Sequence, residues 1–193
     1  MPTGPLTKDT TTVALGLAQV RVGAADSNIS NIHPALYSTN SIGALANTKF
    51  TSKVDFWKLE SGFPLMEDTT IPLREAASLE CSFKEITPMN LAFTRGIDAT
   101  SGYTSVHSGE IALGNLTTPA FLRMEAVYTF PSGSNYMTIV FPRAQVASGI
   151  EVDLKTEDAA AVPIVFEAKR ADSAVSGGSA VWDAKPMGRI IFT

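Results

Sequence analysis

The stretch Leu79-Glu80-Cys81-Ser82-Phe83-Lys84-Glu85-Ile86-Thr87-Pro88-Met89-Asn90-Leu91-Ala92-Phe93 changes its pattern half-way along. Leu79, Cys81 and Phe83 alternate with Glu80, Ser82 and Lys84, the period of two that a half-buried strand requires. From Thr87 the punctuation is that of a short helix over 87–95. Thr87 can accept a hydrogen bond from a free N–H of the first turn, and Pro88 lacks an N–H that would go unpaired there anyway. Gly96 suits a left-handed stop, and Arg95 sits where the helix dipole favours a cation. Asn90 stands where a capping box would carry Glu or Gln, so the box is incomplete.

The period of two recurs on both sides of this stretch. It is readable over 12–22, 77–86 and 149–154, and strand signals also mark 50–59, 162–169 and 189–192. Over 120–130, Leu122, Met124, Ala126, Tyr128 and Phe130 face one way; Arg123, Glu125, Val127 and Thr129 face the other. The turn Pro131-Ser132-Gly133-Ser134-Asn135 then leads into a returning strand at 136–141. The fold class is therefore mainly β, a β-sandwich or half-open barrel with one short flanking helix. Length makes it a single domain over 1–193. Residues 1–11, rich in Pro, Thr and Gly, read as a flexible arm. Residues 23–49 read as a long loop whose apolar members (Ile29, Ile32, Leu36, Tyr37, Ile42, Leu45) need a partner, so it is expected to be mobile until it packs on a neighbour.

Composition narrows the chemistry. With 45% hydrophobic and 18% charged residues, the chain can bury a core, and no run approaches the roughly 20 apolar residues that cross a bilayer. The N-terminus has no basic region followed by an apolar core, so no secretory signal is expected. Net charge is −4 and no cluster of Lys or Arg exceeds a pair, which argues against holding nucleic acid through its phosphates. Cys81 lies between apolar alternates and reads as a small buried hydrophobe. His33 and His107 lie in polar, loop-like surroundings, far from it and from each other in sequence. Gly177-Gly178 is followed by Ser179, Ala180 and Val181 without a Lys, so no phosphate cradle is implied. The acidic doublets Glu67-Asp68 and Glu157-Asp158 read as solvated loops. No catalytic, cofactor-binding or metal-binding residues are expected, no cofactor is called for, and the chain reads as a non-enzyme.

The stretch 79–93 resembles the core of phage major tail proteins, in which an alternating strand runs into a helix start of the form T-P-x-N-L-A. The closing stretch, Val162-Pro163-Ile164-Val165-Phe166-Glu167-Ala168 and then Gly188-Arg189-Ile190-Ile191-Phe192, is similar to the strands that end tail tube proteins. Met89 departs from the acidic residue often found there, and 23–49 has no counterpart. The resemblance implies a tail-tube fold, also shared with secretion-system tubes, whose subunits form hexameric rings that stack into a tube for genome delivery. It implies a place in the virion tail, with assembly in the host cytoplasm. Implied partners are further copies, tape-measure, baseplate or tail-tip and terminator proteins, and a sheath if the tail contracts. DNA would pass without stable binding, through a channel that is neutral to acidic. Glu80 and Glu125, on the polar faces of well-alternating strands, are the channel-lining candidates; Thr87, Pro88 and Gly96 are structural helix caps. The alternatives are a tube or terminator protein of a related machine, such as type VI secretion or a tail-like particle, and a monomeric β-sandwich binding module.

Overall fold

Alternation of apolar and polar residues becomes, in the computed structural model, one antiparallel sheet that buries its apolar alternates on one side. The structure describes residues 14, 16–63, 66–98, 109–114, 118–131, 133–146, 148–152, 154 and 159–193. Among them are strands β1 (Gln19–Ala24), β2 (Leu45–Ser61), β3 (Met66–Phe83), β4 (Leu122–Thr129), β5 (Tyr136–Val146), β6 (Val162–Ala168) and β7 (Arg189–Phe192), with one helix, α1 (Pro88–Thr94). The sheet order is β1-β4-β5-β6-β3-β2, and β7 joins β5 off this path. All the pairings are antiparallel.

The two ends of the sheet are joined by the chain itself. Ser41 bridges to Arg21 of β1, and Ile42 N–H donates to the Val20 carbonyl at 3.0 Å. Two residues later the Ala44 carbonyl accepts from Lys84 N–H at 2.8 Å, just beyond β3. The segment 41–44 thus seams β1 to β3 and curls the sheet into a half-open barrel. Inside lie Val20, Val22, Ile42, Leu79, Cys81, Phe83, Leu122, Met124, Phe141, Ile164 and Phe166. Helix α1 closes one end, burying Asn90, Ala92, Phe93 and Thr94.

The helix is fixed at both ends. Thr87 Oγ1 accepts from Asn90 N–H at 3.1 Å, and Pro88 opens the first turn. Asn90 does more than stand in for a capping acid: its Nδ2 donates to the carbonyls of Ile42 at 2.9 Å and Glu85 at 2.8 Å, tying α1 to the seam. Gly96 takes φ +70, and a Cβ there would approach the Val146 carbonyl oxygen to 2.8 Å. Both the backbone angle and the space call for glycine.

Several expectations change. The stretch 23–49 is not one long loop: β1 runs to Ala24, β2 begins at Leu45, and the residues between are tied to the sheet. Strands β2 and β3 are far longer than 50–59 and 77–86, and Glu67-Asp68 belongs to β3, not to a turn. The described residues of 149–154 form no strand; Ile150, Val152 and Leu154 are exposed instead. The arm 1–11, His107 and the doublet Glu157-Asp158 lie outside the described residues.

Thr87→Ala is expected to lower the free energy of unfolding by about 1 kcal/mol, the size of a lost N-cap. Chemical denaturation monitored by circular dichroism measures it, and an unchanged midpoint would contradict the capping role.

Candidate functional site

The sheet has two faces, and the outward one is treated differently along its width. On β4, Arg123 and Glu125 point outward yet are fully buried. Arg123 Nε donates to Glu125 Oε1 at 2.7 Å. The rest of the guanidinium donates to the carbonyls of Asn28 and Asn31, each at 2.8 Å, and of His33 at 2.7 Å. The Glu125 carboxylate accepts from the N–H groups of Ala35 at 2.8 Å and Leu36 at 3.1 Å. A buried ion pair is tolerable only when its remaining donors and acceptors are used in this way. Here they are used to hold a loop. Arg21 adds a bond to the Leu36 carbonyl at 2.9 Å. Trp182, fully buried against Val140 and Ala171, donates its indole N–H to the Ile29 carbonyl at 2.6 Å.

Glu125 is therefore corrected: it cannot line a channel, because it lies beneath residues 28–36 and serves as their anchor. That loop is pinned within the subunit, by carbonyls and N–H groups that the sequence pattern could not assign. Alternation did flag Arg123 and Glu125 as a charged pair of i, i+2 neighbours on one face. Nothing in it said that a loop from about 90 residues earlier would cover them.

Over β2, β3 and β6 no described residue covers the outward face. Glu80 is exposed there, facing Lys49 of β2 at 3.7 Å. Lys53 pairs with Asp55 at 2.9 Å and Lys169 with Glu167 at 2.6 Å. Opposite charges alternate across this face, and such exposed pairs add little stability. Their effect is on the surface field: Lys49, Lys53 and Lys169 are each offset by a carboxylate. His33 is exposed, and Cys81 is buried in the barrel, where desolvation pushes its thiol up to about 12. Among the described residues no group of three His, Cys, Asp or Glu could hold a metal ion, and no helix is long and apolar enough to cross a membrane.

The strand expected over 50–59 is one half of a longer ribbon, whose other half over 66–76 the sequence reading missed. β3 pairs with β6 only over residues 78–83. Beyond that, among the described residues, 51–61 of β2 and 66–77 of β3 pair only with each other, a two-stranded arm about 35 Å long at the usual rise per residue. Both of its faces carry exposed apolar side chains. Val54 and Phe56 alternate with Trp57 and Leu59 along β2; Ile71 and Leu73 lie on β3, and Phe63 is fully exposed at the tip. Near the turn, Lys58 donates to Glu67 at 2.6 Å, as does the Thr70 hydroxyl at 2.6 Å, and these bonds hold the Glu67 carboxyl below its ordinary range. A signal for the ribbon existed in Thr69-Thr70-Ile71, three β-branched residues in a row.

No protein-family model matches the chain, and no curated protein matches it. Among solved structures it is similar to the anti-feeding prophage cap, the AFP tube terminating cap, determined by cryo-EM. That similarity spans 97% of each chain at 10% sequence identity, with a TM-score of 0.43.

Arg123→Met leaves a buried carboxylate without its cation and is expected to destabilise the subunit by about 3–5 kcal/mol. Hydrogen exchange at the Ala35 and Leu36 amides should rise with it. A loss under about 1 kcal/mol would show that the loop is held by something else. The native protein is also expected to resist thiol alkylation at about pH 8, reacting at Cys81 only once denatured. Prompt labelling of the folded chain would contradict the buried, protonated thiol.

Proposed function

We propose that this chain is a non-catalytic structural subunit of a phage-tail-type tube, and that it self-assembles into stacked hexameric rings. The observation that carries the proposal is the β2–β3 ribbon. A two-stranded hairpin is at best marginally stable in water without a third strand or a packing partner. This one extends past the sheet with Val54, Phe56, Trp57, Leu59, Ile71 and Leu73 exposed, so its faces call for a surface that the described residues do not supply. In a tube that surface is the neighbouring subunits. The resemblance of residues 79–93, 162–168 and 188–192 to tail tube proteins supports the same reading.

In such a tube the outward face over β2, β3 and β6 would turn to the channel, with Glu80 and Lys49 at its centre. Its paired charges suit passage of DNA without retention, since each unpaired cation against a phosphate would add a salt-dependent hold. The work of the molecule is then performed in the virion tail, after assembly in the host cell. Tape-measure, tail-tip or baseplate and terminator proteins would complete the structure, with a sheath where the tail contracts.

Electron microscopy of the purified protein tests this directly. Rings with hexagonal end views, stacking into tubes as concentration rises, are expected. Replacing residues 54–75 by an Asn-Gly turn, which closes the Lys53–Ala76 pair, should leave a folded monomer that forms neither rings nor tubes. Unaltered tubes from that variant, or a wild-type chain that stays monomeric at every concentration, would refute the proposal.

A further inference from the structure

Among the strand edges left open in the described residues, two differ in kind. The first belongs to the ribbon. Its β3 edge is irregular: Asp55 pairs with Arg74 but Phe56 with Pro72, leaving Leu73 as an extra residue, and a second shift between Leu59 and Glu60 leaves out Asp68. Pro72 also has no N–H to offer. Bulges and proline are the devices that spoil an edge as a template for pairing. The β2 edge has neither. Every residue from Asn47 to Ser61 is paired in turn with β3, so the opposite side of β2 presents a regular ladder of free groups.

The second open edge is β7. It pairs with β5 over Met137–Val140, in the lane that β6 occupies farther along β5, and with no other strand among the described residues. Gly188 allows the chain to enter β7 at φ +129 against the Val140 carbonyl, where a Cβ would collide. Beside β7 lies a cleft of about 170 Å³ lined by Phe50, Glu75, Ala77, Phe141, Arg189 and Ile190, among others. Ile190 and Phe192 remain exposed at 47% and 67% although they share the face of buried Ile139. Arg189 has no ion-pair partner among the described residues.

We infer that β7 is the seat for the β2 edge of a second copy's ribbon, paired antiparallel with Val54 opposite Ile190 and Asp55 opposite Arg189. This inference rests on the self-assembly proposed above and names the contact that carries it. The alternation supports that register: Ile190 and Phe192 share one face, and with Val54 opposite Ile190 the apolar Val54 and Phe56 of the incoming strand fall on it too. Its other face then brings Asp55 to Arg189. Asp55 is held within its own chain only by the exposed Lys53, a weak pairing that it can exchange. Edge and seat are different surfaces on the same chain, so the contact is head-to-tail, the kind that closes a ring when the rotation between copies allows it.

Charge reversal and crosslinking test the contact. Arg189→Glu and Asp55→Arg should each lower the assembled fraction by about tenfold or more, with the thermal melt of the subunit unchanged, because like charges then face each other. Combining R189E with D55R in one chain should restore assembly. In a Cys81→Ser background, Val54→Cys and Ile190→Cys chains, mixed after separate purification, should form a mixed disulfide dimer when oxidised in the assembled state. Assembly that persists in both charge variants, or tubes without the mixed disulfide, would overturn this contact while leaving self-assembly intact. A wild-type chain that never assembles would overturn both.

Discussion

The buried pair Arg123–Glu125 is the interaction on which the rest of the subunit depends. It stands on the outward face of β4, where two charges in water would cost nothing, and it is buried because residues 28–36 lie over it. Those residues lie there because the guanidinium and carboxylate between them take up three carbonyls and two N–H groups. Neither part is stable without the other: the loop supplies the polar atoms that a buried pair requires, and the pair supplies the partners that buried backbone requires. From the fixed loop the chain passes directly to residues 41–44, the seam that closes the sheet. A clamp on β4 thus sets where β1 and β3 are joined, some distance away along the barrel wall.

Against this well-tied body the ribbon is a contrast in physical terms. The barrel end of the β2–β3 hairpin buries Leu79, Cys81 and Phe83, while the far end buries almost nothing. One hairpin therefore has two solvents. Its base is held by the hydrophobic core of its own chain, and its outer part is held by strand pairing alone. Alternation persists in the outer part without an inside and an outside, which explains the apolar side chains on both faces. The division places a well-packed body beside an arm that its own core does not hold.

What was legible in the sequence follows the same division. Strands with one buried face, such as 79–83 and 122–129, were visible because burial enforces the period of two. Helix α1 was visible because Thr87, Pro88 and Gly96 are residues that backbone geometry selects. Of the ribbon, 50–59 was visible as a strand but 66–76 was not, since exposure on both faces removes the contrast that alternation reads. Pro72 and the bulges broke what remained of it. Glu125 was misplaced for a related reason. A charged residue on an alternate face was taken to face water, and only three-dimensional contact reveals the loop across it. The exposed stretch 149–152 shows the converse error, an alternation that no partner strand ever uses.

The bond from Trp182 to the Ile29 carbonyl joins positions 153 residues apart. Strand β7, which completes the edge of β5, lies later still. Residues 28–36 thus receive one of their anchors only after Trp182 has left the ribosome, and contacts of such separation form slowly. The ribbon, by contrast, is a local hairpin that can pair as soon as its own residues emerge. Synthesis therefore presents the ribbon before the body beside it is finished.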